Sequence, residues 1–265
     1  MFFYDMGERN FLYICHQNNR IMNSLYNRRT IRKYQQREVA PELLTKLFEA
    51  AFRASTCGNM QTYSVVVTRS AAGKQRLAPA HFHQSMVTEA PVVLTFCIDL
   101  RRFSTWCKLR KADPGYNNFE WFVTGAVDTL LAAQTFCVAA EEQGLGICYL
   151  GTTTYNPEQI IEALQLPELV FPLTTITLGW PDEQPEQTDR LPLEAILHDE
   201  VYHDYSPADI DRLYAAKEAL EENRRYVTEN GVETLAQVFT NIRYTREAAE
   251  AMSAKLWDIM KQQGF

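Results

Sequence analysis

The residues with the most recognisable chemistry lie near the start of the chain, where residues 28–34 read RRTIRKY. Three arginines and a threonine hydroxyl within five residues could bind a phosphate monoester through bidentate, charge-assisted hydrogen bonds. An amphipathic helix follows, and the free N–H groups of a helix N-terminus also attract anions. The alternation of side chains predicts an extended segment in which Thr30, Arg32 and Tyr34 point at one target. A solvated basic strand or a nucleic-acid contact is the open alternative.

The overall charge favours a small anionic ligand over a polyanion. The chain of 265 residues has a formal net charge of −7 and a pI near 5.4, whereas a nucleic-acid-binding protein needs a dominant positive surface. The basic run is therefore a local exception on an acidic protein. A hydrophobic fraction of 46% is enough for a full core, so we expect one large domain, with or without an appended arm.

Cysteine spacing and the apolar runs indicate a cytoplasmic protein. The six cysteines contain no C-x-x-C pair, so we expect neither a metal site nor a disulfide framework. The apolar runs fall short of a membrane span, and we expect no membrane partner. Residues 1–21 lack the pattern of a signal peptide. We hypothesise that they are an extension of doubtful native status and that the natural chain starts at Met22.

Hydrophobic patterning predicts an α+β fold, because helices and strands alternate with unequal spacing. The strongest element is an alanine-rich helix over 118–143 that ends at Gly144. The other predicted helices are at 41–54, near 70–80, from Asn156, from Ser206, and from about Val232 to the C-terminus. The predicted strands are 63–68, 91–98, 148–151 and 173–179. Loops are predicted at 53–61, 81–85, 100–120 and 182–190, and we expect 100–120 to line a variable substrate cleft.

Four separated motifs occur in a fixed order along the chain. They are R-R-[ST]-x-R-x-[FY] at 28–34, A-[PS]-[ST]-x-x-N-x-Q at 54–61, G-L-G-x-x-[YW]-[IL]-G at 144–151, and L-G-x-P…[KR]-x-R-[LF]-P at 178–192. Together they resemble the FMN-dependent nitroreductase family, and most of all its oxygen-insensitive, NADPH-type nitroreductase and flavin reductase branch. The resemblance covers residues 26–205. Each motif alone is weak, but four in the family's order are specific.

The resemblance implies an architecture and an activity. The fold would be nitroreductase-like α+β, with a central, mostly antiparallel sheet flanked by helices, in an intertwined homodimer that binds FMN at the subunit interface. The FMN-binding domain would span 22–205, and a C-terminal helical arm 206–265. With NAD(P)H as donor, the protein would reduce nitroaromatic, quinone or flavin-type acceptors in two-electron steps by a ping-pong mechanism. The alternative is a flavin-binding storage or regulatory protein without reductase turnover.

The same resemblance assigns the cofactor-binding residues. The phosphate and the neighbouring flavin atoms are assigned to the basic segment and one late arginine: Arg28, Arg29, Thr30, Arg32 and Arg190. The ribityl hydroxyls and the pyrimidine edge are assigned to one loop: Ser55, Thr56, Asn59 and Gln61. The ring system is assigned to an amide and a turn: Gln84, Tyr149, Leu150 and Gly151. No catalytic side chain and no metal ligand is implied, because the flavin N5 carries the chemistry.

The chain departs from the branch in two places. Thr188 stands where the branch commonly has a lysine, so one phosphate contact is lost or supplied differently. Residues 228–233 (TENGVE) are acidic where the branch has an arginine-rich loop for the NADPH phosphate, which leaves the choice between NADH and NADPH open. Arg224 and Arg225 are possible substitutes for that loop.

Two histidine groups offer a weaker alternative, a metal site. The first group lies in a polar arm: His198, Asp199, Glu200 and His203. The second is His81 with His83. A solvated loop is the more common role for such groups.

Overall fold

The computed structural model describes residues 24–265. They divide into two compact units: residues up to Glu186 together with Leu256–Phe265, and Gln187–Lys255. The proposed extension at 1–21 and the proposed start at Met22 lie outside the described residues. Every predicted cofactor residue except Arg190 belongs to the first unit.

The predicted strands form one antiparallel sheet in the order β1-β2-β4-β3. The strands are β1 Tyr63–Thr68, β2 Val92–Asp99, β3 Gly146–Leu150 and β4 Val170–Gly179. The two central strands, β2 and β4, are almost entirely buried, as their continuous apolar sequences predict. The α+β class and the antiparallel sheet are therefore confirmed, and β1 and β3 are the two edges.

Strand β4 begins three residues before the predicted start and includes a proline, Pro172. Pro172 lies opposite Cys97, where the pairing of β2 with β4 shifts register between Phe96 and Cys97. A proline lacks the N–H that a regular ladder needs, so it is tolerated in a central strand at such an irregularity. The prediction over 173–179 therefore missed the first three residues of the strand.

Helices cover both faces of the sheet. In the first unit they are α1 Pro41–Ala51, α2 Ala71–Leu77, α3 Ser85–Glu89, α4 Arg101–Leu109, α5 Phe119–Glu142 and α6 Pro157–Leu164. Helices α7 Pro207–Ala219, α8 Glu221–Glu229 and α9 Leu235–Gln237 lie in the second unit, and α10 covers Arg246–Gln262. One face of the sheet packs against α1 and α5, through Leu44, Leu47, Phe96 and Phe136, and the other carries Leu77, Val87 and Ile160.

Several helix predictions need correction. The helix predicted from Val232 is interrupted, because a π-helical turn, Val238–Arg243, separates α9 from α10. Residues 100–120 are not all loop, since they contain α4. The polar loop predicted at 81–85 begins with a fully buried His81 in a 3₁₀ turn. Polarity alone misplaced this residue, because its ring is buried and its Nδ1 is hydrogen-bonded to the Thr152 hydroxyl, while Nε2 has no hydrogen-bond partner among the described residues.

Helix α5 carries an apolar stripe on its outer face. The stripe is 43% to 53% exposed and consists of Phe119, Val123, Val127, Leu130 and Leu131. By length and composition α5 is also the one helix in 24–265 that could cross a membrane, which corrects the expectation that all apolar runs are too short. Its inner face packs in the core instead, where Gly125 allows close contact with the sheet: an added Cβ would lie 2.5 Å from Ile98 Cγ2.

Two glycines allow the basic segment to lie directly on the sheet. The Ile31 N–H donates to the Ile147 carbonyl over 3.0 Å, and an added Cβ at Gly146 would lie 2.6 Å from the Ile31 side chain. At Gly179 the added Cβ would lie 2.8 Å from the Tyr34 ring. The Tyr34 hydroxyl donates to the Ile31 carbonyl over 2.7 Å. The expectation that Tyr34 points with Arg32 is wrong, because Tyr34 is buried and Arg32 is exposed.

We expect Gly146→Ala to displace the basic segment. The new methyl group would overlap Ile31, and overpacking of this kind lowers the free energy of unfolding by about 1–3 kcal/mol. Urea unfolding of the variant measures the loss. The double variant Gly146→Ala/Ile31→Ala should lose less than the sum of the two single changes, and strict additivity would contradict the steric explanation.

Candidate functional site

The arginines of the basic segment gather along β3. Because Ile31 lies opposite Ile147, the residues before it run beside the later part of that strand. Burial raises the pKa of the Cys148 thiol, and the positive charges of Arg32 and Arg28 partly offset this rise. Both positive charges therefore act on one residue of β3, Cys148.

A carboxylate holds the backbone of this segment. Glu183 Oε1 accepts from the Arg32 N–H over 2.5 Å and from the Lys33 N–H over 3.0 Å. The Asp182 N–H donates back to the Lys33 carbonyl over 3.0 Å. Sequence reasoning missed Glu183, because residues 182–190 have only the acid- and proline-rich composition of an irregular tail. With its backbone fixed, Arg32 keeps an exposed side chain for a ligand.

Arg28 has a buried acidic neighbour. Its Nε lies 3.3 Å from Glu141 Oε1, at ion-pair distance, and the Glu141 side chain is only 10% exposed. Burial raises the pKa of Glu141 to about 7, although the charge of Arg28 opposes the rise. Near neutral pH this carboxyl group is thus close to half-ionised, and its charge competes for the arginine that is predicted to bind a phosphate.

A second loop meets the end of β3 from another direction. The His81 Nδ1 and the Thr152 Oγ1 are 2.8 Å apart and hydrogen-bonded, which connects this loop to the turn at Gly151. Burial lowers the pKa of His81 to about 4, so its ring is neutral near pH 7. Among the described residues, Gln84 Oε1 is buried without a hydrogen-bond partner. A Cβ added at Gly151 would have no atom of the described chain within 4 Å.

The loop predicted to bind the ribityl chain has an unusual backbone. Gly58, Asn59 and Gln61 adopt left-handed conformations with φ of 54°, 55° and 53°. Ser55, Asn59 and Gln61 are exposed. The Thr56 hydroxyl points inward and donates to Asp128 Oδ2 over 2.6 Å. Asp128 was missed in the sequence, where the only signal is a single acidic residue on the apolar face of α5.

The predicted residues do not meet in a single place in one chain. Eight of them lie along or beside β3: Arg28, Arg29, Thr30, Arg32, Gln84, Tyr149, Leu150 and Gly151. Four precede β1, at the opposite edge of the sheet: Ser55, Thr56, Asn59 and Gln61. Three strand spacings of about 4.8 Å separate the two edges by roughly 14 Å.

Arg190 lies in the second unit, and its convergence with Arg28 stays a prediction. Its side chain is exposed, and it donates to the Thr188 hydroxyl and the Asp189 carbonyl over 2.8 Å each. The Asp189 carboxylate pairs with the Lys217 ammonium over 2.7 Å. Lys217 thus balances the acidic residue that stands beside Arg190.

The groups along β3 fit an anionic, planar cofactor such as FMN. Within residues 24–265, the buried Arg29 Nε and Gln84 Oε1 both lack a hydrogen-bond partner, and buried polar atoms normally have one. The open surface at Gly151 leaves space for a flat ring system. By contrast, an open groove of ≈ 780 Å³ beside α1 and β1 contains none of the predicted cofactor residues.

The two histidine groups show no metal geometry. No set of three or more His, Cys, Asp and Glu side chains suited to a metal ion occurs between residues 24 and 265. The His198 Nε2 lies 3.1 Å from the Tyr205 hydroxyl, and its Nδ1 accepts from the His203 N–H over 3.3 Å. His81 is committed to Thr152, as described above. These contacts are structural hydrogen bonds.

We expect Glu141→Gln to flatten the pH dependence of stability. The pKa of Glu141 in the folded chain, about 7, lies above the ordinary value of 4.5, so its contribution to stability is complete below pH 4.5 and is lost as the pH rises to about 7. Glutamine resembles the neutral form and does not titrate. Urea unfolding at about pH 5 and about pH 8 measures the difference, with Glu142→Gln as the exposed control. If the free energy of unfolding changed with pH as much in Glu141→Gln as in the parent, the raised pKa of Glu141 would be contradicted.

Comparisons with known proteins identify the family of the chain. The model of the nitroreductase family matches residues 25–113 and 80–180. A Cr(VI) reductase from Pseudomonas sp. (strain G-1) is 33% identical over 206 residues, which cover 76% of this chain and 85% of that protein. The NAD(P)H-type FMN reductase of Bacillus subtilis (strain 168) is 34% identical over 190 residues, which cover 69% of this chain and 75% of that protein.

A solved structure gives the same result for the fold. A protein from Bacteroides fragilis NCTC 9343, described as an oxidoreductase, is 61% identical and superposes with a TM-score of 0.91, over 92% of this chain and 99% of that one. The family match, the two relatives and this structure all cover most of the first unit. The chain belongs to the nitroreductase family.

Proposed function

We propose that this protein is an FMN-dependent NAD(P)H oxidoreductase that reduces nitroaromatic, quinone or flavin-type acceptors in two-electron steps. The observation that carries the proposal is the attachment of two segments to β3. The basic segment is hydrogen-bonded to it at Ile147, and the loop that contains Gln84 is bonded through His81 to Thr152, next to the open turn at Gly151. Its relatives include reductases named for FMN and for Cr(VI). When bound, FMN supplies an N5 position that accepts and gives a hydride.

The basic segment holds the phosphate end of the cofactor in this proposal. Arg28, Arg29 and Arg32 supply guanidinium groups for charge-assisted hydrogen bonds, and Thr30 adds a hydroxyl. Because Glu183 already fixes the backbone at Arg32, little conformational entropy is lost when a phosphate binds. The role of the protein here is to retain and orient the cofactor.

The turn at the end of β3 holds the ring end. The backbone of Tyr149, Leu150 and Gly151 would hold the isoalloxazine, since the Leu150 side chain is buried and Tyr149 packs against the core. The Gln84 amide would satisfy one polar atom of the ring edge. Since Gly151 has no side chain, the backbone can approach the ring closely. No side chain acts as nucleophile or obligate base. Donor and acceptor use the same cleft in turn, which gives ping-pong kinetics.

The active form is a homodimer. One chain places the β3 cluster and the loop 55–61 at opposite edges of its sheet, so a second copy is needed to bring a loop to each cluster. The apolar stripe on the outer face of α5 is a suitable contact surface, because exposed apolar patches of this kind mark interfaces. No nucleic acid or membrane takes part, and the protein acts in the cytoplasm. The five described cysteines are free, which supports a reducing compartment.

We expect Val127→Glu, in the middle of the α5 stripe, to separate the subunits. A charge buried at an apolar contact is strongly unfavourable, so light scattering should give the mass of one chain, 30.5 kDa, where the parent gives twice that value. Leu109→Glu makes the same change at another exposed position and should leave the dimer intact. A parent protein with the mass of a single chain would refute the proposed dimer.

The function is tested by reconstitution of the purified protein with FMN. The visible absorbance of the bound flavin should fall when NADH or NADPH is added anaerobically. It should recover when a quinone or a nitroaromatic acceptor is added. FMN binding without bleaching by either donor would favour the storage or regulatory alternative. Absence of FMN binding would overturn the proposal.

Gly151→Ala sharpens this test, because a methyl group at that position touches nothing in the described chain. The thermal stability without FMN should be unchanged, while FMN affinity falls by at least about tenfold. Gly115→Ala is the matched control, since an added Cβ there also has open space, and it should bind FMN normally. Equal affinity of the two variants would place the ring elsewhere.

A further inference from the structure

Within residues 24–265, a buried carboxylate on α5 has all its hydrogen-bond partners in one loop. Asp128 is 2% exposed and lies on the inner face of the helix. A carboxylate at this depth is unfavourable unless hydrogen bonds satisfy it. A helix interior supplies no free N–H groups, so the donors must come from another part of the chain.

Those donors all come from residues 56–62. Asp128 Oδ2 accepts from the Thr56 hydroxyl over 2.6 Å and from the Thr62 hydroxyl over 2.8 Å. The same oxygen receives a longer contact of 3.5 Å from the Thr62 N–H. Asp128 Oδ1 accepts from the Cys57 N–H over 2.9 Å. One side chain thus holds both ends of a short loop.

The conformation of that loop needs such support. Three of its residues, Gly58, Asn59 and Gln61, have φ values between 53° and 55°, a region in which residues with a Cβ are held only by their surroundings. On the outer side, Arg102 donates to the Gln61 carbonyl and, over 3.2 Å, to the Tyr63 carbonyl. Asp128 therefore binds N–H and hydroxyl groups of the loop, and Arg102 binds carbonyl groups at its end. The two side chains together fix the loop.

We propose that Asp128 is a positioning residue for cofactor binding. It holds the loop in the left-handed conformation that presents Ser55, Asn59 and Gln61 to the ligand, and it does so without touching the ligand itself. The inference rests on the proposed function, since the ligand of this loop is taken to be FMN. It also rests on loop geometry that exists without any cofactor. The positioning role of Asp128 and the proposed function can therefore fail separately.

The test compares Asp128→Asn with Thr129→Val. Asparagine keeps the shape of the side chain but removes its charge and one acceptor oxygen. Thr129 is the next residue on α5, fully buried, and its hydroxyl donates to the Gly125 carbonyl of its own helix over 2.6 Å. The control therefore perturbs the same buried face without affecting the loop.

The first measurement is made on the protein without FMN. Amide hydrogen exchange at residues 56–62 should be at least about tenfold faster in Asp128→Asn than in the parent, while β2 and β4 keep their protection. Thr129→Val should match the parent at this loop. Unchanged exchange at the loop in Asp128→Asn would overturn the proposal whether or not the protein binds FMN.

The second measurement is FMN affinity and the visible circular dichroism of the bound flavin at saturation. Asp128→Asn should bind FMN at least about tenfold more weakly and with an altered spectrum, which a general loss of stability would not produce in fully folded protein. If Asp128→Asn does not fold, Thr62→Val, which removes one donor to the same carboxylate, should show the same two effects more weakly. Parent-like affinity and spectrum in a variant with a loosened loop would overturn the role in binding.

Discussion

Packing of two side chains directly against glycine backbone is the constraint on which the rest of this structure depends. The segment that carries the arginines has no regular secondary structure to fix it, and it lies on β3 and β4 only because Gly146 and Gly179 leave room for Ile31 and Tyr34. Ile31 and Tyr34 are buried, and their positions determine where the neighbouring Arg32 and Lys33 reach the surface. A polar site is thus located by the packing of its apolar neighbours.

Acidic residues organise this site, although its ligand is an anion. Glu183 binds the backbone of the basic segment, Asp128 binds the loop before β1, and Glu141 lies beside Arg28. Glu183 and Asp128 accept hydrogen bonds from N–H groups and hydroxyls, so their charges are compensated locally. Glu141 has Arg28 at ion-pair distance, but neither of its oxygens has a hydrogen-bond partner among the described residues. Repulsion of a phosphate is limited to Glu141, whose raised pKa reduces the negative charge near neutral pH.

Sequence patterns predicted the helices and strands better than the tertiary contacts between them. Strand 63–68 and the helix over 118–143 were recognisable because β-branched and alanine-rich periodic runs are local signals. The start of β4 and the direction of Tyr34 were predicted wrongly, because a register shift at Pro172 and a contact with glycine depend on distant residues. The positions of Ser55 and Asn59 relative to Arg28 depend on the strand order, which no local spacing encodes. Arg28, Arg29, Thr30 and Arg32 were predicted from their own chemistry and from the family resemblance, and the other nine cofactor residues from the resemblance alone. The buried acids lie outside the recognised motifs or carry no local signal, so neither route predicted them.

The placement of the two groups at opposite sheet edges has a genetic consequence. In the proposed dimer, each pocket is assembled from the β3 side of one polypeptide and the loop of the other. A polypeptide damaged at Arg28 and another damaged at Asn59 would each form only defective homodimers. When the two are co-expressed, their mixed dimer has one doubly damaged pocket and one that is entirely intact, so two inactive alleles would complement each other.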